Sequence, residues 1–210
     1  MRALVAMAHP DDEVLGCGAT LARLADEGHD VRVLLSLRRS DPRGSTHWTR
    51  IVDDFHEACA VLGVTAELVD PLLEERAVDS EVRDLLDIIR PSVEWADTVF
   101  THWPGDVHQV HRQLARAVEI ATRPFRLQRD VYFCEVLTST DQAYVQHFSP
   151  QRFVTLDASQ VERSLRAMAC YSTEEAPGRR VADLRRKLEA RGAQMGGSYA
   201  EAFVVARQYV

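Results

Sequence analysis

LVAMAHPDDEVLGCGATLARLADEGHDVRVLLSL, residues 4–37, sets an apolar run, an ionisable cluster, a helical pattern and a second apolar run in succession. Leu4-Val5-Ala6-Met7 reads as a short buried strand, and Val31 to Leu37 as a second one. Between them, from Val14 to Ala25, apolar residues recur at helical spacing until Gly28 supplies a stop. Strand, helix, strand is the unit of a parallel sheet.

The alternation continues outward. Arg38 to His47 reads as a polar loop, Trp48 to Leu62 as a helix stopped at Gly63, Ala66 to Val69 as a third strand, and Val82 to Ile89 as a helix ended by Pro91. Thr98 to Thr101 is a fourth strand, Val107 to Ala121 a helix, Val131 to Val136 a fifth strand and Phe153 to Leu156 a sixth. Helical patterns follow at Gln160 to Tyr171 and Val181 to Gln194. This order predicts an α/β fold, a single-domain Rossmann-like three-layer sandwich with a mainly parallel sheet. No repeat or linker divides residues 1–210, and the turn-like stretch Glu174 to Arg180 is too short to separate domains.

Composition fits that reading. With 210 residues, 46% hydrophobic and 27% charged, the chain has the usage of an ordinary globular domain with one core. Lys+Arg 25 against Asp+Glu 32 leaves a formal charge of -7, which argues against nucleic acid as a partner. No apolar run approaches the ~20 residues that cross a bilayer, and Met1 to Met7 is too short for a signal-peptide core. A cytoplasmic protein with no membrane partner is the expectation; the oligomeric state is not encoded in any pattern. Cys17, Cys59, Cys134 and Cys170 lack paired spacing and read as reduced packing residues. Lys187 is the only lysine.

In open parallel sheets, chemistry gathers where strand C-termini meet the following helices. Two such places are unusual here. After the first strand, Ala8-His9-Pro10-Asp11-Asp12-Glu13 packs four ionisable groups into five positions. Helix capping would explain one carboxylate there, not three beside a histidine. After the fourth strand comes His102-Trp103-Pro104-Gly105-Asp106-Val107-His108-Gln109-Val110-His111, in which His108 and His111 stand three apart on one helix face. Histidine and aspartate ligands with an open fourth position suit a catalytic zinc, which polarises a carbonyl and lowers the pKa of water towards ~7. A neighbouring carboxylate that is not a ligand can take the water's proton.

The stretch at positions 8–13 resembles the signature of the LmbE-like, or PIG-L, family of zinc-dependent N-deacetylases, and Tyr199-Ala200-Glu201-Ala202-Phe203 resembles a segment those proteins carry near the C-terminus. The resemblance implies a single LmbE-like domain over 1–210. It implies one Zn2+ per chain held by His9, Asp12 and His111, with other divalent transition metals able to substitute. It implies Asp11 as general base, and His108 as the group that stabilises transition-state charge and protonates the leaving amine. The substrate class implied is a small N-acylated molecule, an amino sugar or its conjugate in cofactor or natural-product metabolism. Many members carry Asp-His at the second site, whereas Val110 precedes His111 here, so Asp106 is the candidate to tune His108 in its place.

Glu13 is read as a support for the site rather than a ligand. Arg39 and Arg43, in the loop after the second strand with Arg38, Ser45 and His47, are candidate contacts for a polyhydroxylated or anionic substrate, and Trp103 for stacking on a sugar ring. Gly16-Cys17-Gly18 falls inside the helix and lacks a third glycine at Leu21, which argues against dinucleotide binding and for close helix–strand packing. Two alternatives stand beside the hydrolase: a metal-dependent phosphoester hydrolase, and a phosphoacceptor signalling module, which needs a lysine near a late strand where this chain offers only Lys187.

Overall fold

The computed structural model describes residues 1–42, 46–77 and 82–210. Seven strands run through them: β1 (Arg2–Met7), β2 (Asp30–Arg38), β3 (Thr65–Glu74), β4 (Thr98–His102), β5 (Asp130–Cys134), β6 (Arg152–Thr155) and β7 (Ala200–Arg207). Six helices accompany them: α1 (Asp12–Asp26), α2 (Trp48–Leu62), α3 (Val82–Trp95), α4 (Gln109–Ala121), α5 (Ala158–Cys170) and α6 (Val181–Gln194). The sheet order is β3-β2-β1-β4-β5-β7-β6, with β1 to β5 mutually parallel and β7 antiparallel to both neighbours.

Period-two alternation along buried strands makes the three layers. Ala3, Val5 and Met7 of β1 join a core with α1, α2, α5 and α6, while Leu4 and Ala6 face the opposite way into a core with α3 and α4. Both faces are covered, so the strands are apolar almost throughout.

Three elements depart from the sequence reading. The tail motif is a full strand, β7, wedged between β5 and β6. Pro91 does not end α3, which continues to Trp95; burial of Val93 in the second core offsets the one hydrogen bond Pro91 cannot donate. β3 runs on to Glu74 through Pro71, which the ladder tolerates because β3 is an edge strand.

Helix α1 is broken at Cys17, whose φ of -154° and ψ of 16° are not helical. The break is filled by side chains. Glu201 of β7 accepts the freed N–H groups of Ala19 and Thr20 at 3.0 and 2.7 Å, and Lys187 of α6 donates to the carbonyls of Leu15 and Glu135. The flanking glycines allow close packing: a Cβ on Gly16 would lie 3.1 Å from Cys134 Cβ, and one on Gly18 would lie 2.7 Å from Ser164 Oγ. The strand order reverses between β1 and β4, so the loops that follow these two strands meet over one crevice.

Candidate metal centre

Beyond Met7 the chain turns sharply into α1. Asp11 takes a φ of 96°, left-handed backbone that aspartate tolerates better than most side chains, and the conformation is stored at the crevice. Its backbone N–H donates to Glu13 Oε2 at 3.1 Å, and Glu13 also accepts from the Tyr171 hydroxyl. Asp11 makes no side-chain cap bond to α1, so capping is not what this carboxylate does.

Three donor atoms converge in the crevice. His9 Nδ1 and Asp12 Oδ2 are 3.2 Å apart, His111 Nε2 and Asp12 Oδ2 3.2 Å, and His111 Nε2 and His9 Nδ1 3.3 Å. Corners of a tetrahedron with metal–ligand distances of ~2.0–2.1 Å lie about 3.3–3.4 Å apart, so the triangle has the dimensions of a zinc site with one position open. All three residues are buried. Each imidazole also has a carboxylate on its far nitrogen: Glu75 Oε1 is 3.2 Å from His9 Nε2, and Asp106 Oδ2 is 3.3 Å from His111 Nδ1. Such outer carboxylates fix the tautomer that offers the inner nitrogen to a metal. Asp106 is itself held by Ser139 Oγ at 3.0 Å, Thr140 Oγ1 at 2.6 Å and the backbone N–H of His108 at 2.7 Å.

A second grouping, Asp12 with His102 and His111, shares two of these residues. His102 stacks on His111 with centroids 3.8 Å apart, but its Nε2 accepts the Ala8 N–H at 2.8 Å, so that lone pair is already used. Burial, then the charge of His111, hold His102 well below the usual histidine range. Burial works against charge on His111 too, yet Asp12 and Asp106 push it up to about 9. The carboxylates of Asp12 and Asp106 therefore favour a positive charge at this centre.

Beside the triangle, Asp11 Oδ1 accepts from Arg179 Nη2 at 3.1 Å, and the same nitrogen reaches Asp12 Oδ1 at 3.1 Å. Asp11 Oδ2 is buried with no hydrogen-bond partner among the described residues. Burial, opposed by Arg179, raises Asp11 to about 8. The ring of His108 lies 4.5 Å from that of His111 and 4.9 Å from that of His9. Burial, then the nearby histidine charges, push it down to about 4, so the ring is neutral near pH 7. A cavity of about 630 Å³ opens at His108 and Glu75 and is lined also by Ser40, Asp41, Arg76 and Val107.

The sequence candidates thus fall into place unevenly. His9, Asp11, Asp12, His108 and His111 come together, with Glu13 behind Asp11 and Asp106 behind His111. The expectation that Asp106 tunes the His108 ring is corrected: it takes the His108 backbone N–H and turns its other oxygen to His111. Val110 is buried and packs in the second core. Arg39 is buried in an ion pair with Glu174 at 2.7 Å, and Trp103 packs edge-on to Phe133 and Phe148. Arg43 and Ser45 lie outside the described residues. The sequence reading missed Glu75, Arg179, Ser139 and Thr140; each stands apart from the two ionisable clusters, and the strand read at Ala66 to Val69 ends six residues before Glu75. The four cysteines are free, three of them buried.

The sequence also matches the profile of the GlcNAc-PI de-N-acetylase family, PIG-L, over residues 4–122. The chain belongs to the PIG-L family. A curated relative, the uncharacterized deacetylase YaiS of Escherichia coli K12, is 33% identical over 126 residues, 55% of this chain and 65% of that protein. Among solved structures, the conserved protein TT1542 of Thermus thermophilus shares the fold of this PIG-L chain at 24% identity and a TM-score of 0.78, covering 99% of this chain and 96% of that one. The N,N'-diacetylchitobiose deacetylase of Pyrococcus horikoshii superposes with a TM-score of 0.74 at 19% identity, covering 97% and 83%. GalB, a 4-carboxy-2-hydroxymuconate hydratase of Pseudomonas putida KT2440, does so with 0.72 at 18%, covering 100% and 97%. The fold alone therefore does not select the reaction.

Proposed function

We propose that the chain is a zinc-dependent N-deacetylase that hydrolyses an N-acetyl or other N-acyl group on a small substrate, an amino sugar or its conjugate, in the cytoplasm, with residues 1–210 acting as one domain. The observation that carries this is the donor triangle of His9, Asp12 and His111 with an unpartnered buried oxygen, Asp11 Oδ2, beside it. Family membership and the deacetylase relative support the same reading.

His9 Nδ1, Asp12 Oδ2 and His111 Nε2 would hold one zinc ion, which when bound polarises the amide carbonyl and acidifies a water. Asp11 Oδ2 takes the proton of the attacking water and returns it to the leaving nitrogen. Arg179 opposes the burial that raises Asp11 and so favours its charged form. His108, expected from the resemblance to protonate the leaving amine as well, is neutral near pH 7 and only donates a ring N–H to the oxygen on which negative charge develops, which leaves the amine's proton to Asp11. The hydroxyl beside His111, Ser139 Oγ, lies on the outer nitrogen of that ring and donates to Asp106, so it is not the nucleophile. Water attacks directly and no acyl-enzyme forms.

The alternatives are less well supported. Both candidate metal groupings contain His111, which favours one ion over a two-metal phosphoesterase. Lys187 is buried against backbone carbonyls, which leaves a phosphoacceptor module without its lysine.

The test is amine release from a panel of N-acetylated amino sugars by the zinc-loaded protein, with metal content measured in parallel. His9→Ala and His111→Ala lose metal and activity together, whereas Asp11→Asn keeps its metal and turns over ~100-fold more slowly. Normal metal occupancy in both histidine variants removes the ligand assignment, and a near-wild-type kcat in Asp11→Asn removes the base.

A further inference from the structure

His102 opens the second ionisable cluster of the sequence, yet it has no place in the donor triangle and is fully buried at the end of β4. Its contacts run to both halves of the crevice. Nε2 accepts the Ala8 N–H at 2.8 Å, and the ring stacks on that of His111, with centroids 3.8 Å apart and an angle of 13° between the planes. Ala8 directly precedes His9, so one side chain touches both segments that bring donors to the triangle.

The sheet explains why the bond to Ala8 is needed. β1 ends at Met7, and its register with β4 ends where Ala6 faces Thr101. Ala8 is fully buried beyond that end, so its N–H must find an acceptor outside the ladder. β4 supplies one: after Thr101, whose hydroxyl donates to the Ala6 carbonyl at 3.0 Å, comes His102. Two consecutive side chains of β4 thus fasten the end of β1 beneath the crevice.

Packing alone would not select a histidine here. Because Nε2 accepts, the neutral ring carries its hydrogen on Nδ1, and that buried atom has no hydrogen-bond partner among the described residues. An apolar ring of the same size would stack as well and bury no unpaired donor. What an apolar ring lacks is the acceptor for Ala8. Nor is Nε2 free to ligate a metal: it stands 3.6 Å from Asp12 Oδ2, but its lone pair is held by the Ala8 N–H.

We propose, on the reading of His9, Asp12 and His111 as the ligands, that His102 is a positioning residue for the metal centre: through the Ala8 N–H it holds the turn that carries His9 against His111 and so fixes the shape of the donor triangle.

The experiment is a titration of the metal-free protein with Co2+, whose visible absorption reports tetrahedral coordination, and it needs no substrate. The parent protein gives a tetrahedral spectrum that His111→Ala abolishes; a spectrum unchanged in His111→Ala removes the ligand reading itself and leaves His102 nothing to position. With the ligands established, His102→Phe keeps the stacked ring, removes the acceptor and binds Co2+ ~10–100-fold more weakly, with a diminished tetrahedral band, the scale on which groups behind metal ligands act. His102→Gln returns an acceptor oxygen to the place of Nε2 and restores most of that affinity. Parent affinity and spectrum in His102→Phe, or equal losses in His102→Phe and His102→Gln, overturns the proposal. Should His102→Phe fail to fold, the imidazole nitrogen resonances of the zinc-loaded parent protein decide: His102 shows a protonated Nδ1 and an uncoordinated, unprotonated Nε2 if the proposal is correct, and a protonated or metal-bound Nε2 if it is not.

Discussion

Asp106 sits where a small chemical change has a measurable reach, because its Oδ2 serves the His111 ring while two hydroxyls hold it still. Asp106→Asn keeps the shape but loses the charge that fixes the His111 tautomer, and metal affinity falls ~10–100-fold, the usual cost of an outer carboxylate. Competition against a chelator measures it, and an unchanged affinity would show that His111 needs no such support. Arg179 acts on the base instead. Its charge lowers the pKa of Asp11 against burial, so Arg179→Gln lets Asp11 rise further above about 8 and shrinks its ionised fraction at neutral pH. The acid limb of the pH–rate profile then moves to higher pH by about 1 unit, while Arg179→Lys moves it less. A bound cation lowers Asp11 in every variant and leaves the difference between them; an unmoved limb means Asp11 is not the titrating group. The two clusters were legible in the sequence because each is dense within a few positions of a strand end. Arg179 and Glu75 were not, because neither lies beside a strand end that the sequence pattern shows, and only the fold brings them to the crevice.

The element that ties the turn at His9 to Asp12 to the rest of the chain is the broken helix α1. Breaking it frees two N–H groups and a carbonyl, and Glu201 and Lys187 answer them from β7 and α6. Lys187→Met keeps the buried stem and removes the donor, leaving the Leu15 and Glu135 carbonyls unpaired. Each buried unsatisfied group costs about 1–3 kcal/mol, so the midpoint of denaturant unfolding should fall accordingly with little change in its slope. Stability within ~0.5 kcal/mol of the parent would mean that water replaces the ammonium. This device explains what the sequence did not reveal. β1, β2, β4 and β5 were legible because strands covered on both faces are rich in apolar residues, whereas β3, a half-exposed edge strand, was read only as far as Val69. β7 was recognised only as a tail motif, because Glu201, charged and fully buried, interrupts its apolar pattern. Pro91 misled for the opposite reason: a local stop signal was overridden by burial of the next turn.

On the scale of the whole molecule, the proposed metal centre joins segments far apart in the chain, since His9 and Asp12 follow β1 while His111 belongs to α4. A ligand that binds only the folded arrangement stabilises it by mass action. At a free zinc concentration 100 times the Kd the gain is about 2.7 kcal/mol, and in a domain of this size each kcal/mol raises Tm by about 2–4 °C, so zinc should raise Tm by roughly 5–10 °C. The size of the gain should depend on pH through His111. Without metal its pKa of about 9 lies above that of an unfolded histidine, so its proton stabilises the folded chain fully below ~6.5, and that contribution fades as pH rises through about 9. Zinc must displace the same proton, so its affinity increases with pH over that interval. Both effects act in one direction, and the zinc-induced rise in Tm should be larger at pH 8 than at pH 6. Thermal melts with zinc and with chelator at the two pH values measure it, with His111→Ala as the control that abolishes the rise. An equal rise at both pH values would mean that His111 carries no proton in the metal-free chain, and would remove the coupling between Asp12, Asp106 and the ring that favours a positive charge at this centre.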